Sequence, residues 1–323
     1  MSQYIIRRLL IAIPVLLGLT IATFMIANLM PGDYVDAMIP EEQRVRMGIS
    51  SEDMEVLREH YGLNKPVVER YVIWLRELVL HGNLGKSLYT GEPVFSEFSK
   101  FVWLTLQLTG ASLFLGMLIG TTIGIFQALH PHSFFDNLAN FLTFVWISVP
   151  DFVFGIISIY FLSFKVALFP LGGAGPPGGD YGILTRLHYM GLPLIMLTLG
   201  RLPGYMRFAR NSMLDVIHSD YVTVARAKGL IERIITIRHA LRNALMPLIT
   251  ITGMSIPGLI GGAAIAESIF VWPGMGRWVV DSIRNRDYPV IVAMNLITST
   301  LVLGFNLITD IAYAWADPRI RYD

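Results

Sequence analysis

Hydrophobic positions along the chain gather into six long stretches almost free of charge, separated by shorter polar segments. Residues 9–32 hold no ionisable side chain and follow Arg7 and Arg8. Residues 101–135 contain no Asp, Glu, Lys or Arg, which predicts a helix over 101–129 and a turn at His130, Pro131 and His132. Residues 137–164 carry only Asp151, and the neighbouring Pro150 predicts a break or kink. Residues 187–210 are interrupted by Arg201 and Pro203, which predicts a short apolar part, while 243–266 and 288–309 are uncharged throughout. A helix of about 20 apolar residues crosses a hydrocarbon core ~30 Å thick, so six membrane-spanning helices are expected. The first stretch exceeds the roughly 7–15 residues of a signal-peptide core and is read as a retained span. Residues 169–181, FPLGGAGPPGGDY, read as an irregular loop.

The polar insert at 33–100 carries a helical rhythm of its own. Met54, Leu57 and Tyr61 fall on one face after a capping Ser51, and Asn64, Lys65 and Pro66 stop the run. Val68, Tyr71, Trp74, Leu75 and Leu78 repeat the pattern over 67–79. Two short amphipathic helices are predicted there.

Composition agrees with a membrane protein. Hydrophobic residues make up 54% and charged residues 15%, against about 25% charged in soluble domains. A net charge of +1 gives no reason to propose a nucleic-acid partner, and the absence of cysteine excludes disulfides, thiolate metal sites and cysteine nucleophiles. Distribution is more telling than the sum. Residues 201–242 hold eight basic and three acidic side chains, which puts them in the cytoplasm by the positive-inside rule. With six spans, both termini share that side, in keeping with Arg7, Arg8, Arg319 and Arg321. The 33–100 insert, with eight basic and twelve acidic residues, then lies outside.

Catalytic chemistry is hard to find. Gly85-Lys86-Ser87 resembles the end of a phosphate-binding loop, but the required first glycine is Leu80, so a tight turn is expected. The seven histidines show no metal-ligand spacing, and no nucleophile elbow is present. Acids at membrane depth are functional candidates by default. Asp151, Glu267 and Asp310 qualify, the last two near span ends where they are expected to reach the interface. A self-sufficient secondary transporter would have to be built on these three acids, and an intramembrane enzyme lacks a nucleophile or metal cluster.

The most informative polar segment is the basic one. Ser219 and Asp220 start a short helix over 221–228, and Gly229 supplies a left-handed stop. Isolated helices below about 12 residues are marginal, so something must hold this one. It either packs on its own membrane domain or docks into another protein, for which Ala225, Ala227 and Gly229 permit close approach.

At this helix the chain resembles the membrane subunit of binding-protein-dependent ABC importers. Thr223, Val224 and Ala225 occupy the places of the family's E-A-A signature and Gly229 that of its glycine, with the acid and first alanine replaced and the proline arriving late, at Pro247. The match narrows to the dipeptide/oligopeptide permease subfamily through DYVTVARAKGL (220–230), HALRNALMP (239–247), ESIFVWPGMGRW (267–278), RDYPV (286–290) and DPRIR (317–321). IIRRLL (5–10), MPGD (30–33), YGLNKPVVERYVIWL (61–75) and GNLGKSL (82–88) extend it over nearly the whole chain.

The resemblance implies an all-α polytopic membrane protein of the type I ABC importer fold. It would have six transmembrane helices, cytoplasmic termini and a small helical extracytoplasmic insert between helices 1 and 2. Its parts would be a tail and first helix (1–32), the insert (33–100) and a five-helix core (101–323) that contains a cytoplasmic coupling segment at 211–242. Implied partners are a homologous second permease subunit, two cytoplasmic ATPase subunits, an extracytoplasmic substrate-binding protein, membrane lipid and a peptide substrate. Oligosaccharides or nickel complexes are alternative cargoes. ATP and Mg would bind the ATPase subunits, with no cofactor, metal or catalytic residue on this chain. Asp220, Tyr221, Thr223, Ala225, Arg226, Ala227, Lys228 and Gly229 would couple to the ATPases. The implied location is a prokaryotic cytoplasmic (inner) membrane.

Overall fold

A computed structural model of the chain describes residues 2–29, 31–176, 178, 182–261 and 263–316. The DPRIR segment with Arg319 and Arg321, Met30 of MPGD, and Asp180 and Tyr181 of the glycine-rich loop lie outside the described residues. The described chain is helical apart from turns, loops and one isolated bridge between Lys86 and Pro93. In order the helices are α1 (Ser2–Leu29), α2 (Tyr34–Met38), α3 (Glu41–Met47), α4 (Ser51–His60), α5 (Val67–His81), α6 (Val94–Leu129), α7 (Phe134–Ser148) and α8 (Asp151–Ser158). A π-helical turn, Ile159–Lys165, continues α8. Then come α9 (Ile183–Ile217), α10 (Asp220–Ala227), α11 (Glu232–Ile234), a second π-helical turn (Ile235–Leu241) and α12 (Arg242–Ala244). The chain closes with α13 (Met246–Ser255), α14 (Gly258–Gly261), α15 (Ala264–Ile269), α16 (Met275–Arg284) and α17 (Tyr288–Ala316).

Among the described residues four helices are long and apolar enough to cross a membrane, Tyr4–Leu29, Val94–Leu129, Ile183–Ile217 and Tyr288–Ile311. A fifth is reached if α7 and the run from Asp151 to Lys165 count as one span; they meet at 95°. That bend falls where Pro150 predicts it, because proline cannot donate the helical hydrogen bond and disfavours helical backbone in the residue before it. Two expectations need correction. The 187–210 stretch is not interrupted: α9 runs through Pro193 and Pro203 for 35 residues. Both prolines are buried in tight packing, which holds the helix together past the missing donors. The 243–266 stretch, by contrast, is not one helix but α13, α14 and the start of α15, broken beside Pro257 and near Gly258 and Gly261.

The chain divides into two compact units, residues 105–273 and residues 1–104 with 274–323. In the latter, α1 lies along α17, and Phe24, Tyr71 and Val292 form a buried cluster with Val67, Trp74 and Leu75 around it. Tyr71, Trp74 and Leu75 share the buried face of α5 as expected, but the face starts from Val67, and Val68 is exposed. Met54, Leu57 and Tyr61 do share a face, packing on Tyr34 and Val35. The α4 cap is Ser50 rather than Ser51: its hydroxyl accepts from the Asp53 amide and the Asp53 carboxylate accepts from the Ser50 amide. This reciprocal box fills the four-residue spacing that Ser51 cannot.

Residues 105–273 pack around α6 and α9. Gly116, Gly120 and Gly124 form a row on α6 that faces Arg201, Tyr205, Met206 and Ala209 of α9. A Cβ added at Gly124 would meet the Met206 carbonyl oxygen at 2.3 Å, so these backbones approach as only glycine allows.

Candidate functional site

Helix α10 follows α9 after only His218 and Ser219. Ser219 takes the extended cap conformation, but its hydroxyl donates back to the Val216 carbonyl at 2.6 Å and caps no α10 amide. Gly229 has φ +77°, the left-handed stop its position predicts, with nothing near the place of a Cβ. The helix is two-faced. Val222 and Ala225 are buried against Ile235, with Val216 beside them. Asp220, Tyr221, Thr223, Val224, Arg226, Ala227, Lys228 and Gly229 are exposed, and Leu230 and Ile231 continue the exposed apolar surface. Ala225 is thus part of the anchor and not of the free face, while Ala227 and Gly229 remain available.

Polar contacts of the free face lie at the surface. Arg226 pairs with Glu232 at 2.7 Å, and Asn243 Nδ2 donates to the Tyr221 hydroxyl at 2.9 Å. The second contact joins two of the sequence motifs that carried the resemblance. A recess of about 270 Å³ opens behind the helix, bounded by Leu129, Ile217, Val222, Arg226 and Thr236.

The ground beneath α10 is firmer. Asp136 at the start of α7 is 2% exposed and accepts Arg210 Nε at 3.0 Å and Nη2 at 2.9 Å. Gln127 Nε2, Asn140 Nδ2 and the His132 amide complete its shell at 3.2, 3.0 and 3.0 Å. A bidentate pair with its remaining lone pairs satisfied fixes α9 to α7 and to the end of α6. A two-residue link thus joins α10 to a helix held by Asp136 at Arg210 and by the glycine row of α6. Neither Asp136 nor Arg210 stood out in the sequence, since the partners are 74 residues apart. The glycine row was readable as a repeated G-x-x-x-G.

The three candidate membrane acids have distinct places. Glu267 is fully buried and accepts the Thr105 hydroxyl at 2.7 Å, so it does not reach an interface. Asp310 is engaged by Arg8 at 3.0 Å and by the Tyr4 hydroxyl at 2.8 Å. Asp151 is exposed at the first turn of α8. Among the described residues the three are not gathered into one cluster, and no group of three metal-ligating side chains occurs.

Pro31 to Asp33, the GNLGKSL turn and RDYPV converge in the 1–104 and 274–323 unit. Asp287 is 1% exposed and accepts the Ser87 hydroxyl at 2.5 Å and the Leu88 and Tyr89 amides at 3.0 and 3.3 Å. Ser87 of the GKS string is thus a structural donor in a turn where Gly85 has φ +95°. Arg286, itself at φ +56°, donates to the Pro31 carbonyl, and the Tyr288 hydroxyl to that of Gly32 at 3.3 Å. Arg58 bridges Asp33 at 2.7 Å and Asp36 at 2.9 Å, and Arg44 reaches Asp36 at 2.6 Å. Burial pushes the Asp36 carboxyl up, but the Asp33 amide and the two guanidinium groups outweigh it and leave it below its ordinary value. Burial also pushes the Tyr34 phenol up to about 12, keeping it a donor to the Leu88 carbonyl at 2.6 Å.

Comparison with known proteins fits this arrangement. Residues 120–322 match the family described as binding-protein-dependent transport system inner membrane component, and residues 1–109 match the N-terminal model of the same membrane component. The chain belongs to this family. It is a transport component, not an enzyme. The oligopeptide transport system permease protein AppB of Bacillus subtilis (strain 168) is 42% identical over the whole of both chains. The dipeptide transport system permease protein DppB of Escherichia coli (strain K12) is 35% identical, covering all of this chain and 99% of that one. The DppB protein of Alkalihalophilus pseudofirmus is 34% identical over the full length of both. A solved structure, inward-facing MetNI methionine ABC transporter, aligns at TM-score 0.48 with 19% identity, over 67% of this chain and 96% of that chain, a likeness too slight to build on.

Proposed function

We propose that this chain is a permease subunit that carries di- and oligopeptides across a prokaryotic cytoplasmic membrane. It forms the path with a homologous second subunit, takes cargo from an extracytoplasmic binding protein, and is driven by two cytoplasmic ATPases that hold ATP and Mg. The peptide assignment rests on the names of relatives that match the chain end to end. In this reading the subunit has six spans in the type I importer arrangement, with 187–210 and 243–266 counted among them. Both termini and the 211–242 segment are cytoplasmic, and the 33–100 insert is outside.

The observation that carries the mechanism is the two-faced α10. One face is buried through Val222 and Ala225, and the other exposes Tyr221, Val224 and Lys228 on a link of two residues from α9. Such a helix serves as the coupling helix: ATP-driven closure of the ATPase pair displaces it, and α9 follows as a lever. Nucleotide can shift access of the path only by binding one arrangement better than the other, so this contact must differ between the two states. Asp220, Tyr221, Thr223, Arg226, Ala227, Lys228 and Gly229 form or frame the docking face, with Ala225 anchoring it. Replacing Gly229 with Trp in the reconstituted transporter tests the role. Expected is ATP hydrolysis without uptake in a complex that still folds; normal uptake would contradict it.

A further inference from the structure

A cavity of about 390 Å³ lies among Phe24 near the end of α1, α5 and the start of α17. Its walls are largely apolar, with the aromatic rings of Tyr61, Trp74 and Tyr288 around it and Phe24 and Val292 at its floor. Into it projects Arg70 of α5, whose guanidinium lies 5.5 Å from the Tyr288 ring centroid and 6.0 Å from that of Phe24. Among the described residues Arg70 has no hydrogen bond and no ion pair. That is an unusual expense in a half-buried site, because a guanidinium carries five N–H donors in a rigid fork and two ring faces satisfy none of them. Burial pulls its proton affinity down, and the charges of Tyr288 and Asp33 only partly offset this.

The charges around the cavity narrow what could fill it. Lys65 stands at the rim, paired with Glu69 at 3.1 Å across an exposed surface. Glu77 also lines the wall and is held by His81 at 3.2 Å. Lys65 is already neutralised by Glu69, which among the described residues leaves Arg70 as the one cation without an ion-pair partner at the cavity and favours a singly charged oxyanion over a dianion. Phe24 lies five residues before the end of α1 and Val292 four residues after the first residue of α17, so the floor is made by the ends of two apolar spans. Exposed Ile73 extends the apolar rim. An aromatic belt with a cation at the end of a span is where a lipid headgroup meets protein.

We propose that this cavity is a binding site for the phosphodiester of an anionic phospholipid, with the Arg70 fork on two phosphate oxygens and the apolar floor under the glycerol and first acyl carbons. The shared chemistry is a phosphate oxyanion, and the singly charged, apolar-flanked form is the one these walls select over free phosphate.

The test uses the full-length chain, delipidated in neutral detergent and titrated with phosphatidylglycerol or phosphatidylcholine, with lipid retention read by native mass spectrometry and stability by thermal unfolding. Expected is selective retention of phosphatidylglycerol and an upward shift of the unfolding midpoint, both weakened about tenfold in lipid concentration by Arg70→Gln, the order of one charge-assisted contact. Arg70→Lys, which keeps the charge without the fork, should retain an intermediate part, and it covers the case in which Arg70→Gln fails to fold. Equal retention by wild type and both variants overturns the proposal. So does an Arg70-dependent shift produced by sodium phosphate at the same concentration, which would assign a free ion in place of a lipid.

Discussion

The knot around Asp287 and the helix α10 are both short polar structures beside long apolar helices, yet they are built in opposite ways. At the knot, buried Asp287 gathers three donors from the Ser87 turn, and Arg286 next to it reaches the Pro31 carbonyl. At α10, among the described residues, the ties include a pair whose side chains are 42% and 65% exposed and a surface contact between half-buried Asn243 and exposed Tyr221. Buried, fully partnered charge resists movement, whereas an exposed pair contributes about 0–1 kcal/mol and yields easily. The difference assigns the knot to holding its loops in place and leaves α10 free to meet another surface.

The comparison can be broken from either side. The largest expected effect lies beneath α10: Asp136→Ala leaves Arg210 without its partner and should cost about 3–5 kcal/mol in unfolding free energy. Next, Asp287→Ala strands the Ser87 hydroxyl and two amides and should cost about 3 kcal/mol, with Asp287→Asn recovering part of it. Equilibrium unfolding of each variant in detergent checks both figures, and a loss below about 1 kcal/mol at Asp287 would erase the contrast. Gly229→Ala forces a Cβ into a left-handed backbone at φ +77° in open space, for an expected cost of about 1 kcal/mol. Arg226→Ala, at the exposed pair, should cost less than about 1 kcal/mol.

A pH titration sharpens the other side. The Asp36 carboxyl is lowered in the folded protein from its ordinary 3.8, so its contribution is present above 3.8 and lost as pH falls through the folded value. Unfolding of the wild type, followed by proteolysis of the α2 to α4 segment, should therefore steepen with acid below 3.8, and Asp36→Asn should flatten that dependence.

Much of this was legible in the residues because local rules decided it. Gly229 stops α10 where a left-handed residue is needed, Pro150 bends the chain, and the Met54, Leu57 and Tyr61 rhythm sets the α4 face. Errors arose where packing overrode local preference. Pro203 would end an exposed helix, but buried in α9 it does not, while the uncharged 243–266 stretch breaks because Pro257 and its glycines outweigh hydropathy. Partners far apart in sequence were unreadable: Ser87 and Asp287 are separated by 200 residues, Gln127 and Arg210 meet only through Asp136, and Glu267 finds Thr105. Of the proposed docking residues, Ala225 is buried with Val222 against Ile235 while the others are exposed, a division that the short helix's own sequence does not specify because it depends on Ile235 in a later element.

The central claim is that the free face of α10 receives the ATPase. The chain contains no cysteine, so Val224→Cys creates a unique thiol at a position 52% exposed on that face. Labelled with a photo-crosslinker in the assembled transporter, it should give an adduct with an ATPase subunit in a yield that changes between nucleotide-free and ATP-bound states. No adduct from Val224→Cys in either state, in an assembly that still transports, would contradict the account.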